Sequence, residues 1–294
     1  MKDIVLLPTW YRPEYLQLCL EHLAAAQGIE SKQIWILQDY HVNDERTHAL
    51  EEQWTQEVLG NWRLGLDIKF MRSTPHMTGG NSRNVMEGYR RAFETDAKYV
   101  YQIEDDVFVT PDFFRWHETV QNDGNYFCSV GYNCKFKWPA DFKPDDNPGD
   151  YYTAYYYGSY GVGWKRENLA AIVPHANDAY YTSMDAYVRQ NLGGTRLGDR
   201  FTEQDGLIER VMLRENVRPI AFPVVSRAFH MGLYGYHRKG QRPSGFLEAK
   251  IKGLKQLLAD PATFTNHVNN PYNDILPFAF PGNWSTLTKV ATFL

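Results

Sequence analysis

Cysteine is scarce. The 294 residues hold three, Cys19, Cys128 and Cys134. The count is odd and no metal-type pair spacing occurs, which argues against a disulfide framework or a cysteine-built zinc module. Such thiols suit a reducing compartment. An excess of one charge is also missing: 31 basic against 35 acidic residues leaves a net charge of -4. That balance does not mark a nucleic-acid or membrane binder, although it leaves room for a local basic cleft. Long apolar runs are lacking too. The opening "DIVLLP" is too short for a signal segment or a membrane span. No repeat or low-complexity tract stands out. These absences lead us to expect a soluble, cytoplasmic protein with no membrane partner, built as one large domain or two small ones.

Aromatic residues are plentiful, with 20 Tyr, 16 Phe and 8 Trp. They can fill a sizeable core and still line a half-wet groove. The first half alternates short apolar runs with helical periodicity. Strands are expected at Ile4 to Leu7, Ile34 to Leu37, Leu66 to Met71 and from Tyr99. Helices are expected at Glu14 to Ala26, Thr47 to Leu59, Ser82 to Phe93 (capped by Asn81 or Ser82) and Phe113 to Val120. This order predicts βαβ units and a mainly parallel sheet in an α/β fold. Further on, strands are expected at Tyr126 to Tyr132, Thr153 to Trp164 and Ile220 to Val225. Helices are expected at Glu203 to Glu215 and Phe246 to Ala259, and Asn133 to Asp150 reads as a loop.

The chemistry gathers where strands end. "YVYQIEDDVFVTPDFF" places Glu104, Asp105 and Asp106 just after an apolar strand. Three adjacent carboxylates repel one another and suit either a solvated turn or a bound cation. Asp39 closes the second strand, and open α/β sheets place ligands at such ends. Arg83 lies at a helix start, where guanidinium and backbone N–H groups can meet a phosphate. "TEQDGLIERVMLREN" puts Glu203 and Asp205 in a first helical turn behind Thr202, a candidate cap. "YYTAYYYGSYGVGW" is rich in Tyr and Gly, and His237, Arg238 and Lys239 form a basic loop between Gly235 and Gly240.

Taken together, "PTWYRPEYL", Asp39, "GGNSRN" and "IEDDVFVTPDFF" resemble the GT-A nucleotide-sugar glycosyltransferases, family 2 in particular. The acidic stretch resembles that of N-acetylglucosaminyltransferase I and its relatives. The resemblance covers about Ile4 to Gly232. It implies a Rossmann-like sheet flanked by helices, with a smaller acceptor-side mixed sheet. On that reading residues 1–240 form the catalytic domain, with a donor half to about 110 and an acceptor half beyond it. Residues 241–294 form a helical extension packed on it. The implied activity is metal-dependent sugar transfer, with inversion, from a nucleoside diphosphate sugar such as a UDP-sugar to an acceptor hydroxyl.

The implied metal is Mn²⁺ or Mg²⁺, since hard oxygen ligands and a departing diphosphate suit either ion. Asp106 would ligate it, with His230 as a second ligand. The donor would be held by Pro8, Thr9, Arg12, Asp39, Arg83, Glu104, Asp105, Arg238 and Lys239. Asp205 is the preferred base and Glu203 the reserve. Tyr157, Tyr160 and Trp164 would face the acceptor, which could be a glycan, a protein, a small molecule or a modified nucleic-acid base. Two alternatives differ in class: a nucleotidyltransferase on a similar sheet, or an inactive sugar-binding relative. The first usually opens on a Gly-rich basic loop, where this chain has "PTWYRPEYL". The intact acids weigh against the second.

Overall fold

The computed structural model describes residues 2–39, 45–61, 65–72, 79–133, 148–193, 202–215, 217–235, 238–260 and 289–293. Strands β1 (Asp3–Thr9), β2 (Lys32–Gln38) and β3 (Ile68–Arg72) run parallel, and β4 (Tyr99–Gln102) flanks β1 on the other side, also parallel. Their connections contain α1 (Pro13–Ala25), α2 (Glu45–Asn61) and α3 (Gly80–Phe93). Alternation decides what each face buries. Ile4, Leu6, Trp35, Leu37 and Val100 pack with Val85, Met86 and Tyr89 of α3. The intervening Val5, Leu7, Ile34, Ile36 and Tyr101 pack with Leu16 and Leu20 of α1 and Val58 of α2. Helices thus cover both faces, as the strand–helix alternation predicts.

The acidic turn leads into β5 (Val107–Val109) and α4 (Phe113–Asp123). The second half of the chain supplies β6 (Ser129–Val130), β7 (Tyr151–Ala154), β8 (Val162–Lys165) and β9 (Ile220–Pro223). Its helices are α5 (Asp178–Thr182), α6 (Met184–Asn191) and α7 (Gln204–Arg214). Two short antiparallel ladders stand apart: β10 (Ala228–His230) on β5, and β11 (Tyr234–Gly235) on β12 (Arg238–Lys239). After α8 (Leu247–Ala259), β13 (Lys289–Phe293) pairs parallel with β7. Among the described residues, the main sheet has nine strands in the order β13-β7-β9-β6-β8-β4-β1-β2-β3. No helix among them is long and apolar enough to cross a membrane.

The expected α/β sheet flanked by helices is present, and several details differ. The strands expected to form a separate, smaller mixed sheet are continuous with the main sheet, because β8 pairs antiparallel with β4. Thr153 to Trp164 is not one strand. Its ends are β7 and β8, with β9 and β6 between them in the sheet. Of the expected Tyr126 to Tyr132 strand, Ser129–Val130 forms the regular ladder, flanked by backbone bonds from the Phe127 N–H to Pro219 and from the Gly131 N–H to Gly161. The extension is helix plus strand: Leu254 and Leu258 of α8 join the core around α1, and β13 extends the sheet. Helix α3 begins behind Gly79, in the left-handed region at φ 92°, where glycine carries no Cβ penalty. The expected cap Ser82 directs its hydroxyl elsewhere. Most of the expected loop from Asn133 to Asp150, residues 134–147, lies outside the described residues.

Candidate active site

Parallel β1, β2 and β4 deliver Thr9, Asp39 and Glu104 to one edge of the sheet. The register pairs Thr9 with Gln38, and the Asp39 N–H donates to the Thr9 carbonyl at 2.9 Å. Pro8 is buried just inside that edge, opposite Leu37. Asp105 and Asp106 form the turn after β4, closed by Val107 N–H to the Glu104 carbonyl at 2.9 Å.

Arg12 is the cation these acids share. Its guanidinium pairs with Asp105 and donates to Asp106 Oδ2 at 2.7 Å and to the Tyr234 carbonyl at 3.1 Å. Thr9 Oγ1 adds a 2.8 Å bond to Asp105. Burial works against the Arg12 charge, but the two aspartates more than offset it and raise its pKa. Asp106 shows the opposite balance. Burial alone would raise it, yet Arg12 and His230 hold it below the ordinary carboxylate range. Asp105 is pushed up to about 6, burial outweighing Arg12. Burial, then Asp106, Asp205 and Asp105, lift Glu104 well above its usual value. Just before Arg12, Tyr11 takes a left-handed φ of 47°. A side chain there costs about 1 kcal/mol or more, strain stored in the tight turn from β1 into α1.

His230 reaches Asp106 through the ladder of β5 and β10. His230 faces Val107, and the Met231 N–H donates to the Asp106 carbonyl at 2.7 Å. The imidazole Nε2 lies 3.5 Å from Asp106 Oδ2. A Cβ on Gly232 would fall 2.5 Å from that oxygen and 3.0 Å from Nε2, so only glycine keeps the space beside the pair open. Asp106 Oδ1 is buried without a hydrogen-bond partner. Carboxylate plus imidazole, with one orphaned oxygen, fits a divalent cation whose other ligands come from a diphosphate. Among the described residues no group of three or more His, Cys, Asp or Glu side chains forms a complete protein-only site.

Asp205 occupies the first turn of α7. Ser159 Oγ donates to its Oδ2 at 3.0 Å, while Oδ1 is buried and unpartnered. Burial, opposed by Ser159 and aided by Glu203, pushes its pKa up to about 6. Glu203, not Thr202, is the residue that caps α7; it makes no side-chain cap bond and is exposed. Asp205, Asp106 and Glu104 are near enough for both aspartates to raise the Glu104 pKa.

Arg83 sits at the start of α3, its guanidinium 4.7 Å over the Tyr181 ring and 3.4 Å from Asp178. The nearby Ser82 hydroxyl bonds Gln204 at 2.6 Å, so this helix start adjoins that of α7. Arg238 and Lys239 belong to β12, opposite the Tyr234 and Gly235 backbone beside Arg12; their side chains, like His237, lie outside the described residues. Tyr160 is half-buried, its ring 5.2 Å from His230.

Two aromatic expectations are corrected. Trp164 is fully buried, and its Nε1 donates to the Tyr89 hydroxyl at 3.2 Å. Tyr157 is 8% exposed, with its hydroxyl among Tyr89 and Gln102. Both belong to the core rather than to an acceptor face. Three contributors went unrecognised in the sequence: Ser159, Gly232 and the Tyr234 carbonyl. The first lies between Gly158 and Gly161, and the second lies two residues after His230. A carbonyl leaves no mark in a sequence.

No protein-family model and no curated protein matches the chain. Among solved structures it is similar to S. aureus TarS in complex with UDP-GlcNAc, at 13% identity and TM-score 0.47, covering 91% of this chain and 67% of that one. It is similar to the mannosyltransferase PcManGT from Pyrobaculum calidifontis in complex with GDP-Man and Mn²⁺, at 12% identity and TM-score 0.42, covering 58% and 46%. A third similar structure is an active-site mutant of LgtC, at 12% identity and TM-score 0.40, covering 74% and 72%.

Proposed function

We propose that the protein is a glycosyltransferase that moves a sugar from a nucleoside diphosphate sugar, a UDP-sugar, to an acceptor hydroxyl with inversion. One observation carries this reading. Two separate carboxylates, Asp106 and Asp205, each have one oxygen anchored and the other buried without a partner, with Glu104 close to both. A single-displacement transfer needs that asymmetry: one acid for the diphosphate side and one for the acceptor side.

Asp106 and His230 would hold Mn²⁺ or Mg²⁺, which supplies Lewis-acid stabilisation of the departing diphosphate. Thr9, Pro8 and Asp39 form the floor for the nucleoside at the strand ends. Arg12 and Arg83 would bring positive charge to the diphosphate, and the implied roles of Arg238 and Lys239 would add to it. Glu104 would meet the sugar and ribose hydroxyls, while Asp105, its oxygens taken by Arg12 and Thr9, would orient Arg12 beside them. Asp205 takes the proton of the attacking hydroxyl, and a pKa near 6 leaves it ionised and still basic at neutral pH. Tyr160 offers a ring to the acceptor beside His230.

The experiment is a thermal-shift panel of UDP, GDP, CDP and ADP with and without Mn²⁺, followed by donor hydrolysis. UDP should raise the melting temperature by several degrees at saturating excess, and only with metal. Asp106→Asn should remove that metal dependence and lower turnover about 10²-fold or more. No shift with any nucleotide, or unchanged turnover in Asp106→Asn, overturns the reading.

A further inference from the structure

We propose that Ser159 is a positioning residue: its hydroxyl ties down Oδ2 of Asp205, so that Oδ1 is the oxygen that takes the acceptor's proton. This rests on the reading of Asp205 as the base. The start of α7 is fixed on α3, because Gln204 accepts from the Ser82 hydroxyl at 2.6 Å and returns its own N–H to it at 3.2 Å. The segment carrying Ser159 is fixed on the same helix one turn further along, where the Tyr157 N–H donates to Glu209 Oε2 at 3.2 Å. The Gly161 N–H closes the turn on the Ser159 carbonyl at 3.1 Å. Ser159 is therefore held from both sides, 6% exposed, with its Oγ 3.0 Å from Oδ2.

A carboxylate tied through one oxygen loses rotational freedom and presents the other in one direction. Here the other oxygen is buried and unpartnered, a state a substrate hydroxyl would relieve. In the step, the acceptor oxygen bonds to the anomeric carbon as the bond to the diphosphate oxygen breaks. The hydroxyl proton passes to Oδ1, and the electron pair of the broken bond leaves with the diphosphate. The Ser159 hydroxyl bonds the charged carboxylate more strongly than the neutral acid, so it favours the form that is ready to receive a proton. The titratable groups facing Asp205 are Glu203 and Glu209 on its own helix, Glu104 from the turn after β4, and the Tyr89, Tyr157 and Tyr180 hydroxyls.

The test compares wild type, Ser159→Ala, Ser159→Thr and Asp205→Asn. Each is assayed for Mn²⁺-dependent hydrolysis of UDP-glucose, UDP-galactose and UDP-N-acetylglucosamine across pH, and for ¹³C-carboxyl titration of labelled aspartate. Asp205→Asn identifies the Asp205 resonance. In Ser159→Ala that carboxyl should titrate about 0.5 to 1 pH unit higher, with the acid limb of kcat moving alongside it and donor KM unchanged. Ser159→Thr keeps the hydroxyl and should return the limb. An unmoved limb and resonance in Ser159→Ala, with Asp205→Asn inactive, overturn the positioning role and leave the base in place. An active Asp205→Asn, or a wild type that hydrolyses none of the three donors, overturns the reading beneath it.

Discussion

Arg12 lies between two buried aspartates and pays for their ionisation. Replacing it by Met would leave Asp105 and Asp106 side by side without their cation, a change that costs about 3–5 kcal/mol when one partner of a buried pair is removed. The sign of its pH dependence follows. Without the guanidinium, folding favours the protonated acids, so the folded state binds more protons than the unfolded one and stability rises as pH falls. The deficit of Arg12→Met against wild type, measured by urea denaturation, should therefore be smaller at pH 5 than at pH 8. An equal deficit at both would show that the loss is packing alone. At this scale much of the site was legible. Thr9, Arg12 and the three acids stand in short motifs, and strand ends are where an α/β sheet places its chemistry. Trp164 and Tyr157 were misread because a ring in an aromatic-rich stretch looks the same whether it lines a groove or fills a core. Ser159 sits unmarked inside the Tyr- and Gly-rich stretch; what singles it out is a carboxylate 46 positions further along the chain.

Elements place these residues, and the segment after residue 240 takes part. Arg242 reaches Glu14 Oε2 at 2.8 Å and Glu51 Oε1 at 2.9 Å, joining α1 to α2, and Lys250 of α8 lies 3.4 Å from Glu51. Glu14 also accepts from the Tyr234 hydroxyl at 2.8 Å, and it is the Tyr234 carbonyl that receives Arg12. Glu14 is fully buried and Glu51 nearly so, so Arg242→Ala should cost about 3 kcal/mol or more in denaturant unfolding. Lys255 makes a comparable-looking pair with Glu21, but both ends are open to water, and Lys255→Ala should change stability by less than about 1 kcal/mol. Similar losses for the two variants would refute the distinction. Six of the eight α-helices among the described residues could be read from periodicity, while the short α5 and α6 were not expected. Pairing could not: β7 and β8 lie on one continuous Tyr- and Gly-rich stretch yet occupy separate places in the sheet. The ladder that carries His230 to Asp106 joins segments more than a hundred residues apart. Local propensity is silent on such partners.

Among the described residues one nine-stranded sheet draws on both halves of the chain, and its packing ignores the expected division into donor and acceptor halves. Ile4, Leu6, Trp35 and Tyr89 from the first half share a core with Trp164, Ile208, Val211 and Phe222 from the second. The seam is the antiparallel pairing of β4 with β8, four residues long. Neither half can separate without exposing that face, so the two should unfold together. Trp35 and Trp54 report on the first half, and Trp116 and Trp164 on the second, all of them buried. Tryptophan fluorescence and far-UV circular dichroism should therefore give coincident urea transitions, with one calorimetric peak whose enthalpy matches its van't Hoff value. The proposed nucleotide should shift that single transition as a unit, because a ligand bound at the edge of β1, β2 and β4 stabilises everything that unfolds with them. Two resolved transitions, with only the first moving when nucleotide is added, would mean that the halves fold independently and that the shared core contributes little.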